Sequence, residues 1–153
     1  MTDATKIKTN AAGKVLQAIY KNVKMAGDSI INLMPKVKDE KMKSDLTIQL
    51  SAYEAFASRT AKLLEKEGAK PEEESTLTKM GAKWGTMMNT MMDSTSTHMA
   101  KMVIEGATMG VNDMMEQIRN AKRDGVGEDV IRLAQDVCDY EERTVEQMRS
   151  YLR

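Results

Sequence analysis

The apolar residues of this chain recur at alternating steps of four and three, and this period constrains the fold more than any other feature. In the first part of the chain the series is Ala12, Leu16, Ile19, Val23, Ala26, Ile30 and Leu33. Such steps keep side chains on one face of an α-helix, which has about 3.6 residues per turn. Strands favour aromatic residues, which make up only 4% of this chain. The period therefore predicts an all-α protein.

Turn-forming residues divide the periodic sequence into four helices. Pro35 and Gly68 stop the first two helices, and the segment RDGVGED at 123–129 separates the last two. We expect one domain, residues 1–153. Its helices should cover about 10–34, 39–67, 86–121 and 128–152. Helices of this length with one apolar face pack as a four-helix bundle.

The predicted inner faces of the remaining helices follow from the same period. The second helix should bury Met42, Leu46, Leu50, Tyr53, Ala57, Ala61 and Leu64. The fourth should bury Val130, Ala134, Val137, Glu141, Val145, Met148 and Leu152. The third has a wide face made of two stripes, namely Trp84, Met88, Met91, Thr95, His98, Met102, Glu105 and Met109 beside Met92, Met99, Val103, Gly106 and Gly110. Its two glycines would let a neighbouring backbone approach closely.

The connection between the second and third helices leaves two topologies open. The other two connections are short, so the first helix should be antiparallel to the second and the third to the fourth. Residues 68–85 can cross the whole bundle, because an extended chain spans about 3.3 Å per residue. This permits one long crossover, but a simple up-down-up-down order is also possible. We favour the crossover, because a plain turn needs fewer residues.

Charge and composition exclude several classes of function. Lys plus Arg number 23 and Asp plus Glu also number 23, so the chain has no excess of positive charge with which to bind nucleic acid. We expect no membrane span, because no run of 18 apolar residues is present. A single cysteine, Cys138, suits a reducing cytoplasm. Neither a phosphate-binding glycine loop nor a Ser-His-Asp set is found, so we expect no enzyme.

Three glutamates fall near the middles of predicted helices. Glu141 lies on the inner face of the fourth helix, and Glu54 and Glu105 lie near those of the second and third. If the helices align end to end, the three carboxylates meet in one central layer. A buried carboxylate is costly unless it is paired, protonated or bound to a metal, and one divalent cation offsets several anions.

A purely structural role for these glutamates is the favoured alternative to a metal site. Glu105 can pair with Lys101, which lies four residues earlier on the same helix face. Glu54 can lie at the edge of the bundle, and Glu141 can hydrogen-bond a buried tyrosine.

Four segments resemble proteins of the ferritin-like superfamily, in particular small bacterial members. They are AIYKNVKMAGDSIINLMPKV at 18–37, YEAFA at 53–57, STSTHMAKMVIEGATMG at 94–110 and YEERTVEQMRSYL at 140–152. The resemblance implies a four-helix bundle with a crossover between the second and third helices. In the di-iron members, two helices each give one Glu and two give Glu-x-x-His.

The di-iron pattern is incomplete in this chain. By resemblance, Glu54 and Glu141 or Glu142 take the places of two of the acids, and Glu105 can stand for a third. Ala57 stands in place of one motif histidine, and Thr144 or Val145 stands in place of the other. The first helix carries no acid on its inner face. The resemblance therefore implies at most a reduced iron site and no oxygen-activating centre.

The stretch MMNTMMDSTSTHMAKM at 87–102 combines methionines with the single histidine of the chain, His98. Thioether and imidazole groups bind Cu(I), and His98, Met102, Met91 and Met99 are the candidate ligands. Methionine also fills cores and adaptable protein surfaces. We therefore expect a non-enzymatic module that binds itself or another helical protein through a Met-rich face. The alternative is a metal-binding or metal-storage protein, and no cofactor is expected beyond an iron or copper ion.

Overall fold

The computed structural model describes residues 3–72, 86 and 92–152, with side chains from residue 11 onward. This part of the chain forms four α-helices and contains no strand, so the predicted all-α class is confirmed. The helices are α1 (Asp3–Leu33), α2 (Glu40–Lys66), α3 (Ser96–Arg123) and α4 (Glu128–Arg149). None of the helices within these ranges is long and apolar enough to cross a membrane.

The helices pack as two hairpins. A short 3₁₀ turn, Met34–Lys36, joins α1 to α2, and residues 124–127 join α3 to α4. Asp39 caps the start of α2, where its Oδ2 accepts a hydrogen bond from the backbone N–H of Met42 at 2.8 Å. Gly68 ends that helix in the left-handed conformation, with φ of 73°, which a residue with a side chain seldom adopts.

Tyr151, just beyond α4, links the starts of α2 and α3. Its hydroxyl donates a hydrogen bond to Asp45 Oδ2 at 2.6 Å, and its carbonyl oxygen accepts one from Thr97 Oγ1 at 3.0 Å. Asp45 lies in the second turn of α2 and Thr97 in the first turn of α3. These two helices therefore begin at the same end of the molecule. The predicted crossover falls largely on residues outside the described ranges.

The predicted inner faces of α1, α2 and α4 form most of the core, but the predicted burial of Leu152 is wrong, because the helix ends at Arg149 and this residue is 38% exposed. Leu16 and Ile19 of α1, Leu46 of α2 and Val137 of α4 are completely buried. Each aliphatic side chain of this size contributes about 1.5–3 kcal/mol when it is removed from water. Each of these helices therefore presents a nearly continuous apolar stripe to its neighbours.

The third helix begins later than predicted, at Ser96 rather than near Thr86. Residues 92–95 are not helical. Thr95 caps the helix, because its Oγ1 accepts a hydrogen bond from the backbone N–H of His98 at 3.2 Å. Asp93 Oδ1 in turn accepts the N–H of Thr95 at 2.9 Å. The methionine spacing continues in helical register through this cap, which is why the predicted start was too early.

Candidate ligand cavity

A cavity of about 610 Å³ lies between the two hairpins. Its apolar walls come mainly from α1 and α3, and α2 and α4 contribute polar groups. The apolar lining is Met25, Ala26, Ile30, Leu33, Val103, Ala107 and Met109, and the polar lining includes Asn22, Gln49, Tyr53, Asp113, Glu141 and Thr144. Ligand pockets in proteins typically measure about 300–1,000 Å³ and combine apolar walls with a few polar groups.

The cavity has a polar end and an apolar end. Asn22 of α1 donates a hydrogen bond from Nδ2 to the carbonyl oxygen of Gly110 on α3 at 3.1 Å, which fixes the register of these two helices. Since α1 and α3 run in opposite directions, Leu33 and Val103 lie on the same side of this contact. Asp113 and Glu141 lie at the Asn22 end, and the other end is lined mainly by hydrocarbon, with Gln49 and Ser29 as its polar residues.

Glu141 is the most deeply buried charged residue at the cavity wall. Its side chain comes from the middle of α4 and only 1% of the residue is exposed. It fits because Gly110 lacks a side chain: a Cβ atom built there would lie 2.7 Å from Cδ and 2.8 Å from Oε1 of Glu141. Gly110 therefore makes room for a carboxyl group, whereas we had expected it to admit a neighbouring backbone. Within the described residues, Glu141 Oε1 has no hydrogen-bond partner.

The surroundings of Glu141 favour the neutral form of its carboxyl group. Burial raises its pKa well above the ordinary value for glutamate, and the negative charge of Asp113 raises it further, against a hydrogen bond from Asn22. The pKa of Asp113 is also raised, mainly by burial. The charge of Asp113 thus opposes the ionisation of the buried Glu141.

Two further polar residues of α2 face the cavity. Gln49 is 1% exposed, and its Nε2 donates a hydrogen bond to Gln147 Oε1 at 2.9 Å. Its own Oε1 has no partner among the described residues. The Tyr53 hydroxyl is hydrogen-bonded to Thr144, and burial raises the pKa of this tyrosine. The cavity thus contains two buried oxygens that receive no hydrogen bond from the described chain. Glu141 Oε1 lies at the polar end, and Gln49 Oε1 lies nearer the other end, because its neighbour Gln147 is six residues beyond Glu141 on α4.

The predicted convergence of Glu54 and Glu105 on Glu141 is wrong. Both glutamates are exposed, while Glu141 is buried. Ala107 is one of the buried residues of α3. Glu105 lies two positions earlier, so it is rotated about 200° around the helix and points into solvent. No group of three or more His, Cys, Asp or Glu side chains suited to a metal ion occurs within the described ranges. Iron binding at Glu141 stays a prediction, and Glu54 and Glu105 are no longer candidate ligands for it.

The candidate copper ligands occupy different environments. Met99 and Met102 are buried in the hydrophobic core. His98 lies half-buried in the first turn of α3, and Met91 falls outside the described residues. The two buried methionines therefore serve the core, and copper binding at this stretch stays a prediction.

Cys138 has the features of a packed thiol. It is buried on α4, where its Sγ lies 3.6 Å from Glu142 Oε1. Burial, together with the acceptor and charge of Glu142, raises the pKa of this thiol to about 11. A thiol with such a pKa remains protonated near neutrality and is a weak nucleophile.

Sequence reasoning missed three polar residues of the cavity, namely Asn22, Gln49 and Asp113. The sequence pattern contains a signal for two of these residues. Gln49 falls between Leu46 and Tyr53 at steps of three and four, on the inner face of α2, and Asn22 precedes the buried Val23 of α1. A polar residue in an apolar stripe marks a buried hydrogen bond or a ligand contact.

Comparison of the chain with protein-family models, with curated proteins and with solved structures finds no match.

Proposed function

We propose that this protein is a non-enzymatic binding module that takes a small, largely apolar ligand into the cavity between its two hairpins. The unpaired Oε1 of Glu141 carries this proposal. A buried polar oxygen without a hydrogen-bond donor costs about 1–3 kcal/mol. A ligand that supplies the donor removes this cost.

The helix directions support a ferritin-like arrangement for this binding module. Tyr151 brings the starts of α2 and α3 to one end of the molecule. Since α2 ends at the opposite end, we propose that the connection from α2 to α3 crosses the bundle. This is the crossover topology that the sequence resemblance implies, with Glu141 in the interior of the bundle. In place of a di-iron site, the interior then provides a cavity for a ligand.

Fluorescence of a neutral apolar probe tests the proposed binding. N-phenyl-1-naphthylamine emits strongly when it enters a dry cavity, so titration with this probe reports occupancy. Ala107→Leu places a larger side chain on the cavity wall and should weaken probe binding about tenfold or more, because the added atoms take the probe's space. Ala55→Leu makes the same change at an exposed position of α2 and should leave binding unchanged. Equal affinity in all three proteins, or no fluorescence increase, would contradict the proposal.

A second candidate function is self-association through the Met-rich face. Met92, four residues before the start of α3, is 96% exposed, and a contiguous patch of such apolar side chains is typical of a contact surface. Met87, Met88 and Met91, which complete the predicted surface, lie outside the described residues. The exposure of Met92 supports a homo-oligomer or a helical protein partner, and this function is compatible with a ligand in the cavity.

A further inference from the structure

We infer that the ligand of this cavity is an amphiphilic amine whose ammonium group binds between Glu141 and Asp113 and whose hydrocarbon part lies along α1 and α3. This inference rests on the proposed function and specifies the chemical class of its ligand. Three features of the cavity lead to it: the kind of polar group left unpaired, the charge of the lining and the shape of the apolar part.

The unpaired polar group at this end of the cavity is an acceptor when Glu141 is ionised. Its Oε1 is buried and receives no hydrogen bond from the described chain. A ligand that stabilises the ionised form must therefore donate. An ammonium group carries three N–H donors, and hydrogen bonds between charged partners are about twice as strong as neutral ones.

The charges at the wall also favour a cation. Among the described lining residues, one is basic, Lys21, and three are acidic, namely Asp113, Glu116 and Glu141. Lys21 acts on Asp113, whereas the charge that acts on Glu141 is the negative one of Asp113. A carboxylate ligand would add a further anion to this region. An ammonium ion instead opposes the charge of Asp113 and favours the ionised form of Glu141, which burial otherwise disfavours.

The composition of the cavity favours an organic cation over a metal ion. Divalent ions such as Ca²⁺ need about six to eight oxygen ligands, and the described residues supply no cluster of three or more metal-binding side chains. Most of the wall is hydrocarbon. From Gly110 to Val103 the cavity follows α3 for about 10 Å at 1.5 Å per residue. This distance suits an alkyl chain of medium length.

Competition between two ligands of equal length tests the inference. n-Octylamine and n-octanol share the alkyl chain, but at neutral pH only the amine carries a positive charge. Each is titrated against the protein with bound N-phenyl-1-naphthylamine. We expect octylamine to displace the probe at about tenfold lower concentration than octanol. Glu141→Gln and Asp113→Asn should each reduce this preference, whereas Glu142→Gln, at an exposed neighbour on α4, should retain it.

The possible failures distinguish this inference from the proposed function. If both ligands displace the probe equally, or if Glu141→Gln keeps the full preference for the amine, the ammonium assignment is wrong while cavity binding stands. If the probe does not bind at all, both are wrong. If Mn²⁺ binds in a manner that requires Glu141 while octylamine has no advantage over octanol, the carboxyl pair is a metal site and the inference is overturned. Thermal melting of each variant establishes that it is folded.

Discussion

The carboxyl group of Glu141 on α4 occupies the space that Gly110 on α3 leaves free. This relationship joins the two helices of the second hairpin at the polar end of the cavity. A side chain at position 110 and a carboxyl group at position 141 exclude each other, since a Cβ atom at position 110 would overlap the carboxyl oxygens.

Gly110→Ala should therefore destabilise the protein, although alanine is the better helix former. We expect the free energy of unfolding to fall by about 1–3 kcal/mol, the usual cost of overpacking. Gly13→Ala is the matched control, because a Cβ atom at this helical glycine meets no atom within 4 Å. It should raise the free energy of unfolding by about 0.5–1 kcal/mol. Urea unfolding measures both, and similar effects at the two positions would contradict the exclusion.

The stability of the protein should fall as the pH rises above the ordinary glutamate range. The pKa of Glu141 is raised in the folded state, so the folded protein binds a proton that the unfolded chain has already lost. Ionisation of Glu141 then costs folding free energy as the pH increases. Glu141→Gln removes this titration and should weaken the pH dependence, and near neutrality it should be neutral or stabilising. Urea unfolding of both proteins at about pH 5 and about pH 8 provides the comparison, and an unchanged dependence in the variant would count against burial of an ionisable group.

Loss of the Tyr151 hydroxyl should weaken the end of the bundle. Tyr151→Phe removes the donor to Asp45 Oδ2 and should cost about 1 kcal/mol in the free energy of unfolding. Tyr140→Phe is the control, because the ring of Tyr140 packs edge-on against Tyr53 and Phe56 and this packing survives the change. The control should cost less than about 0.5 kcal/mol. Thermal melting ranks the two variants, and the reverse order would be evidence against a contribution from the Tyr151–Asp45 hydrogen bond.

Charge in the core should abolish stable folding. Ile19→Asp places a carboxylate at a completely buried position of α1, at a cost of several kcal/mol. Arg132→Ala, at an exposed position of α4, should change the free energy of unfolding by less than about 0.5 kcal/mol. Circular dichroism with thermal melting separates an unfolded or molten protein from a native one. Comparable melting of the two variants would show that the helix faces are wrongly assigned.

The Met-rich face has its own test. Met92→Lys introduces charge at a nearly fully exposed position, so it should disrupt an oligomer without disturbing the helices. We expect gel filtration to detect an oligomer for the wild type and a monomer for the variant, with unchanged helical circular dichroism. Ile48→Lys, at a 62% exposed position of α2, is the control and should leave the oligomer intact. A wild-type protein that already elutes as a monomer would rule out this second function.

The sequence predicts α1 well because its information is local. The steps of four and three from Ala12 to Leu33 describe one face of one helix, and no knowledge of its neighbours is needed to place these residues in the core. Glu141 could also be recognised, because it interrupts the apolar series of α4. In these cases the period alone decides which side of the helix is buried.

The cavity could not be predicted in the same way. Glu105 was placed on the inner face because the methionine series reaches it at helical steps, whereas the face of α3 that lines the cavity carries Val103, Ala107 and Gly110. The fit of Glu141 against Gly110 depends on how two helices dock, and no pattern within either helix contains it. Asn22 became part of the polar end through its hydrogen bond to α3, another contact between segments far apart in the chain.

The position of Tyr151 also determines when the two hairpins can dock during synthesis of the chain. All residues of the first hairpin leave the ribosome early, but Asp45 meets its partner 106 positions later in the chain. The inner faces of α1 and α2 therefore remain uncovered while α3 and α4 are translated, a period in which apolar surface is open to chaperones and to aggregation. Since both hairpins line the cavity, it is formed only when they dock. A ligand that occupies the cavity therefore affects the docking of the two hairpins and no earlier step of folding.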